Sequence, residues 1–198
     1  MRLTTETYLD LRLQAFLDQL ATGERAPGGG SAAALTIAFA ASLVAMVARC
    51  APESWADAGG VAAQALAVKD RATHLARKDA EVWQGALTAL EEAGTGASDD
   101  RRDSELERVL DLAASAPLEI AALGADVAEL AVAAAERCEG AYRADAAAAA
   151  ALAAGGARAA AHLVEVNLTV REGDLRLARA RASDQAAFEA ADRVLASR

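Results

Sequence analysis

The high alanine content of this chain restricts its fold more than any other feature of the sequence. Alanine fills more than a quarter of the 198 positions, whereas aromatic residues make up only 4%. Alanine is the strongest helix former, and its side chain lets helices approach closely. No stretch of useful length alternates between apolar and polar residues as strands do. The sequence therefore predicts an all-α fold, a multihelical bundle of about six helices that forms a single domain over residues 1–198.

Small side chains also bear on assembly. Each alanine buries little apolar surface, so the stability of such a bundle must come from many weak contacts. Additional burial of helix faces between two identical subunits would supply more of them. We therefore expect a homodimer.

Charge and cysteine usage limit the classes of partner and the compartment. The formal net charge of −9 argues against nucleic acid and against an anionic membrane surface as partners. Cys50 and Cys138 are far apart and each has apolar neighbours, which predicts two buried free thiols and a reducing cytoplasm. No signal peptide is apparent at the N-terminus. The apolar stretch 32–48 is interpreted as a core helix and not as a membrane span.

Helical periodicity and breaking residues divide the chain into segments. A capping box at Ser104–Glu107 predicts a helix start, Pro117 predicts a kink or a restart, and Gly155-Gly156 predicts close packing or bending. The other helices are predicted over residues 4–22, 31–50, 61–92, 146–170 and 174–196.

A glycine-rich loop stands immediately before the apolar second helix, in the sequence Pro27-Gly28-Gly29-Gly30-Ser31. We expect Ser31 to cap this helix through its hydroxyl. The first amides of a helix lack carbonyl partners and lie at the positive end of the helix dipole. The loop is thus a candidate site for a carboxylate, a phosphate or a flat polar ligand.

A series of ordered motifs along the chain resembles one known family. The loop stands between Phe16–Ala21 (FLDQLA) and Met46–Ala48 (MVA), and Asp79 is followed by Trp83. Ala116–Glu119 (APLE) and a stretch from Asp145 to Val164–Leu168 follow in the same order as in the family. The set resembles the formiminotransferase-cyclodeaminase C-terminal domain family. That family includes formiminotetrahydrofolate cyclodeaminases and bacterial methenyltetrahydrofolate cyclohydrolases.

The resemblance implies a folate enzyme of one-carbon metabolism, either an ammonia-lyase or a cyclohydrolase. It implies no metal and no cofactor, because the tetrahydrofolate derivative is itself the substrate. Asp79 and Asp145 would be the catalytic proton-transfer groups. The substrate-binding residues would be Pro27, Gly28, Gly29, Gly30, Ser31, Asn167 and Lys69.

Simpler interpretations exist for several of these residues. Asp79 stands in a mixed-charge run that is typical of a solvated helix face. Asp145 could be a helix N-terminal acid, and Asn167 could satisfy backbone groups. Lys69 could be an ordinary surface lysine.

The chain also departs from the family pattern in ways that favour an alternative function. Leu163 stands where the family has an asparagine, and the asparagines expected just before Asp145 are absent. The alternative is a catalytically degenerate member that acts as a dimeric ligand-binding or interaction module. An enzyme for a different flat, anionic heterocycle is a third interpretation.

Overall fold

The computed structural model describes residues 13–23, 26–94, 99–168 and 173–196. Within these ranges the regular structure is helical throughout and contains no strand, which confirms the all-α class. The α-helices are α1 (Leu13–Leu20), α2 (Gly29–Arg49), α3 (Ala58–Gly94), α4 (Asp99–Ala113), α5 (Ser115–Arg137), α6 (Arg143–Asn167) and α7 (Leu175–Ala196), and a short 3-10 helix (Gly140–Tyr142) precedes α6.

Two helix starts needed the structure to be located. Helix α4 begins at Asp99, so the start predicted at the Ser104 capping box is wrong. Pro117 lies in the first turn of α5, where its missing N–H breaks no intrahelical hydrogen bond. Pro117 therefore accompanies a new helix and does not kink an existing one. The predicted beginning of the first helix lies outside the described residues.

Helix α2 is at the centre of the bundle. It packs between α3 and α6 and also contacts α5, while α7 packs against α5 and α6. Gly156 on α6 lets that helix approach α2, because a Cβ at Gly156 would come 2.7 Å from Cγ1 of Ile37. The close packing predicted at this glycine pair is confirmed for Gly156, whereas Gly155 faces open space.

Helices α2 and α6 run antiparallel, so the bundle has two distinct ends. Gly29 at the start of α2 lies beside Leu163 near the end of α6. At the other end, Cys50 follows α2 and hydrogen-bonds with Tyr142, just before α6. Cys50 and Cys138 are free thiols, but each is partly exposed, so the prediction that they are buried is wrong.

Two helical segments, Gly29–Arg49 and Gly140–Asn167, are long and apolar enough to cross a membrane by length and composition. The protein itself covers 61% of the apolar window in the first segment and 44% in the second. Ile37, Val44 and Val47 of α2 are fully buried within the protein. Helix α2 is thus the core helix that the sequence predicted.

Candidate functional site

A cavity of about 320 Å³ lies at the N-terminal end of α2. Its walls come from four places: the glycine-rich loop, the middle of α3, the junction between α4 and α5, and the last turn of α6. The lining residues are Ala26, Gly28, Gly29, Gly30, Asp79, Ala80, Val82, Trp83, Ala113, Ala116, Pro117, Leu163, Val166 and Asn167. The volume is at the lower end of the range for small-molecule sites.

The start of α2 differs from the prediction at Ser31. The N-cap residue is Gly28, whose backbone is extended, and the helix begins at Gly29. Ser31 therefore lies inside the first turn and is buried, and its hydroxyl donates to the carbonyl of Ala76 on α3 at 2.8 Å. The predicted capping role of Ser31 is wrong, because the packing of α3 against this turn offers its hydroxyl a different acceptor.

The carboxyl group of Asp79 lies directly over this first turn of α2. It accepts a hydrogen bond from the backbone N–H of Ser31, and the Ser31 hydroxyl lies 3.5 Å from its Oδ2. All three atoms of the carboxyl group occupy the space that a Cβ on Gly30 would need. The protein's own carboxyl group therefore occupies part of the anion-binding position that the sequence predicted for a ligand. A ligand in the cavity would meet Asp79 beside the amides of Gly29 and Gly30.

Burial dominates the electrostatics of Asp79. It raises the pKa of the carboxyl above its usual value, and the hydrogen bonds from the Ser31 backbone and hydroxyl lower it by less. Among the described residues that line the cavity, Asp79 is the only charged one. The neighbouring Arg77 and Lys78 pair with Glu81 and Glu119 on the outside of α3. The site therefore favours a protonated carboxyl, which can donate a hydrogen bond or a proton.

The remaining walls are mostly apolar. Trp83 lies one turn after Asp79 on α3, and Pro117, Leu163 and Val166 line other parts of the cavity. Asn167 contributes the other polar side chain among the described lining residues. Apolar walls with a few polar groups suit a flat heterocyclic ligand that needs orientation as well as burial.

The structure brings together most of the residues predicted for the site, but not all. Gly28, Gly29, Gly30, Asp79 and Asn167 line one cavity. Ser31 lies beneath it and contacts Asp79, and Pro27 is buried in the adjoining loop.

Lys69 and Asp145 lie away from this cavity within the same chain. Lys69 is ten residues from Asp79 along α3, about 15 Å by helical rise, and pairs with Asp70 at 2.8 Å. Asp145 is in the first turn of α6, about 33 Å from Asn167 near the end of that helix. Their predicted roles stay predictions that a single chain does not explain.

Sequence reasoning did not propose the apolar walls as site residues. The missed residues are Ala26, Ala80, Val82, Trp83, Ala113, Ala116, Pro117, Leu163 and Val166. A signal for Trp83 was present, because a residue four positions after Asp79 lies on the same helix face. The contribution of the α4–α5 junction depends on tertiary packing and has no local signal.

Comparisons with known proteins decide the family. The family model described as "Formiminotransferase-cyclodeaminase" matches residues 12–187, which is most of the chain. The chain belongs to the formiminotransferase-cyclodeaminase family. A crystal structure of formiminotetrahydrofolate cyclodeaminase from Thermotoga maritima shares its fold, with a TM-score of 0.77 and 22% sequence identity. The match covers 94% of this chain and 96% of that one. No curated protein matches the chain.

Gly30 makes a testable contribution to the site of this family member. We expect Gly30→Ala to destabilise the protein by about 1–3 kcal/mol, because the new methyl group overlaps the Asp79 carboxyl. Gly29→Ala is the matched control, since its Cβ would meet the Leu163 methyl groups at 3.8 Å, an ordinary contact. Urea unfolding of both variants measures the difference. Equal free energies of unfolding would show that the Asp79 side chain moves aside without cost.

The raised pKa of Asp79 predicts how pH affects the stability of this family member. Relative to an Asn at this position, Asp79 stabilises the fold fully below its ordinary pKa of 3.8. This contribution is lost as the pH rises through the higher pKa of the folded state. We therefore expect wild type to lose stability relative to Asp79→Asn between about pH 3 and pH 7, as measured by urea unfolding. A relative gain over that interval would mean that the Ser31 hydrogen bonds outweigh burial.

Proposed function

We propose that this chain binds a reduced folate in the cavity at the start of α2 and acts as a formimidoyltetrahydrofolate cyclodeaminase. The observation that carries the proposal is the buried Asp79 carboxyl, which lines an otherwise uncharged cavity. Membership of the formiminotransferase-cyclodeaminase family supports a folate-related function. The fold shared with a formiminotetrahydrofolate cyclodeaminase is consistent with that function.

The proposed reaction has two steps with different proton demands. N10 of 5-formiminotetrahydrofolate attacks the formimino carbon, and its proton moves to the imino nitrogen to give a tetrahedral carbon that bears an amino group. The amino nitrogen then takes up a second proton and leaves as ammonia, which produces the 5,10-methenyl cation. A neutral carboxyl beside the leaving nitrogen could supply this second proton, and Asp79 is the group that the cavity holds in that form.

The other lining residues would bind and orient the substrate. Trp83 and Pro117 would pack against the pterin ring, and the Asn167 amide would hydrogen-bond to its polar edge. The unpaired amides of Gly29 and Gly30 would bind a carbonyl or a carboxylate of the ligand. Closely packed apolar walls would limit the access of water to the tetrahedral carbon.

Methenyltetrahydrofolate cyclohydrolase activity is the second candidate, because the same carboxyl could accept a proton from an attacking water once it is ionised. The neutral state that burial favours at Asp79 is the acid form, and this favours cyclodeamination. We place the reaction in the cytoplasm, in line with two free thiols.

Absorbance of the methenyl chromophore tests the proposal and separates the alternatives. Purified protein mixed with 5-formiminotetrahydrofolate should form the methenyl product and release ammonia. Loss of absorbance from added methenyltetrahydrofolate, without turnover of the formimino substrate, would instead identify a cyclohydrolase. Binding of both folates without turnover of either would support the degenerate ligand-binding module. No binding of either would exclude folate.

A further inference from the structure

The exposed face of α2 lacks charge along its whole length. This α2 face consists of Ala32, Leu35, Phe39, Leu43 and Met46, with Phe39 52% exposed and Met46 38% exposed. The two hydroxyls beside it, on Thr36 and Ser42, donate to carbonyls of their own helix at 2.9 and 2.8 Å. The face therefore contains no side chain that needs water as a hydrogen-bond partner.

The uncharged surface continues onto α6, where Ala148, Leu152 and Ala159 are exposed. Helix α2 is about 31 Å long, and two adjacent helices are about 20 Å wide, so the surface measures roughly 600 Å². This approaches the area of about 800 Å² that each partner buries in a typical stable interface. Because α3, α5 and α6 cover the other sides of α2, the face can accept a second protein surface but cannot surround itself with lipid.

We propose that two copies of this chain pack through the α2 face in an antiparallel arrangement, and that Arg49 of each copy completes the cavity of the other. The spacing of the face fits a two-fold axis at Phe39. Ala32 and Met46 lie seven residues before and after it, so each would meet its counterpart across the axis. Gly29 and Arg49 lie ten residues before and after Phe39, about 15 Å in each direction. Arg49 of the second copy would then lie level with the glycine-rich loop.

Electrostatics favours the antiparallel arrangement over the parallel one. A parallel pair would place the two Arg49 side chains together and align the two helix dipoles, both of which are unfavourable. Arg49 is exposed, and no ion pair joins it to another residue in the described part of the chain. The antiparallel pair separates these two cations by the length of the helix.

The cavity gains from the same arrangement, and this part of the inference rests on the proposed function. A folate carries carboxylates, yet the described lining residues include no cation. Arg49 of the second copy would supply one. Asp145 lies at the same end of the bundle as Arg49, because it acts electrostatically on Tyr142, which hydrogen-bonds with Cys50. A second copy would thus bring Asp145 toward a cavity that its own chain cannot reach.

Cysteine cross-linking tests the geometry without any reference to activity. In a Cys50→Ser, Cys138→Ser background, one preparation carries Ala32→Cys and the other Met46→Cys. Oxidation of the mixed proteins should yield a disulfide between the two different chains. Disulfides only within each preparation would indicate a parallel pair and overturn the proposal.

Sedimentation of charged variants tests the face itself. Phe39→Glu should convert a dimer into a monomer, because it buries two like charges at the axis. Phe188→Glu is the matched control, since Phe188 is 47% exposed on α7, where it packs against Arg158, outside the α2 face. A wild-type monomer, or a Phe39→Glu dimer, would overturn the proposal. A wild-type monomer that sediments with phosphatidylcholine vesicles would assign the face to lipid.

Mixing of two impaired variants tests the shared cavity. Asp79→Asn and Arg49→Glu should each have low activity, and their mixture should regain about a quarter of the wild-type rate, because half of the dimers then contain one intact site. Cross-linking as expected without such recovery, in a protein whose wild type is active, would overturn the role of Arg49. If the wild type turns over neither folate, the proposed function fails, while cross-linking still decides the arrangement of the dimer.

Discussion

Replacement of Asp79 by Asn should lower kcat for cyclodeamination by about 10²- to 10⁴-fold, the usual contribution of a general acid. An amide retains an oxygen that can accept the Ser31 backbone hydrogen bond, but it cannot release a proton to the departing nitrogen. Steady-state formation of the methenyl product measures the loss. The wild-type rate should also fall as the pH rises through the raised pKa of Asp79, because the acid form is depleted.

A matched control lies on the same helix. Asp70 is 74% exposed on its side chain and pairs with Lys69 outside the cavity, so Asp70→Asn should leave the rate unchanged. Circular dichroism of both variants would show that the helices are intact. A fully active Asp79→Asn enzyme would exclude Asp79 as the acid and leave it a structural partner of Ser31.

The largest effect on stability is expected at Gly124, where α5 crosses α6. A Cβ at this position would lie 2.8 Å from Cβ of Ala157 and 3.0 Å from the carbonyl oxygen of Ala153. Backbone atoms cannot move aside as a flexible side chain can. We therefore expect Gly124→Val to cost about 3 kcal/mol and to lower Tm by roughly 6–12 °C.

Gly85→Val provides the comparison for this prediction. Gly85 also lies within a helix, α3, but nothing lies within 4 Å of the Cβ that it lacks. Valine has a slightly higher helix propensity than glycine, so this variant should unfold within about 0.5 kcal/mol of wild type. Similar losses in both variants would mean that α5 and α6 separate easily at their crossing point.

Most of the fold could be predicted because composition and periodicity act locally. Alanine content and apolar spacing specify long helices wherever the sequence is read. The start of α2 was less certain, since Gly28 and Ser31 are both acceptable cap residues. The carbonyl of Ala76, 45 residues further along the chain, decided the position of the Ser31 hydroxyl. No local rule includes such a contact.

The site was predicted in part for a related reason. The charged neighbours Arg77 and Lys78 made Asp79 resemble a surface residue, and the family resemblance was needed to select it. A purely physical signal was also present, because Ala72, Ala76 and Ala80 define a buried stripe of α3 that includes position 79. Asp145 shows the reverse case, in which similarity in sequence says nothing about which end of a 25-residue helix faces the cavity.

The meeting of backbones at Gly124 and Gly156 has a consequence for how this protein can change over time. Where helices touch through hydrogen and methyl groups alone, any gain in side-chain volume must push an entire helix, whereas a loss of volume removes little. Tolerance in the interior is therefore one-sided, and new specificities would arise at the cavity walls, where Leu163, Val166 and Trp83 can vary in size without moving a helix axis.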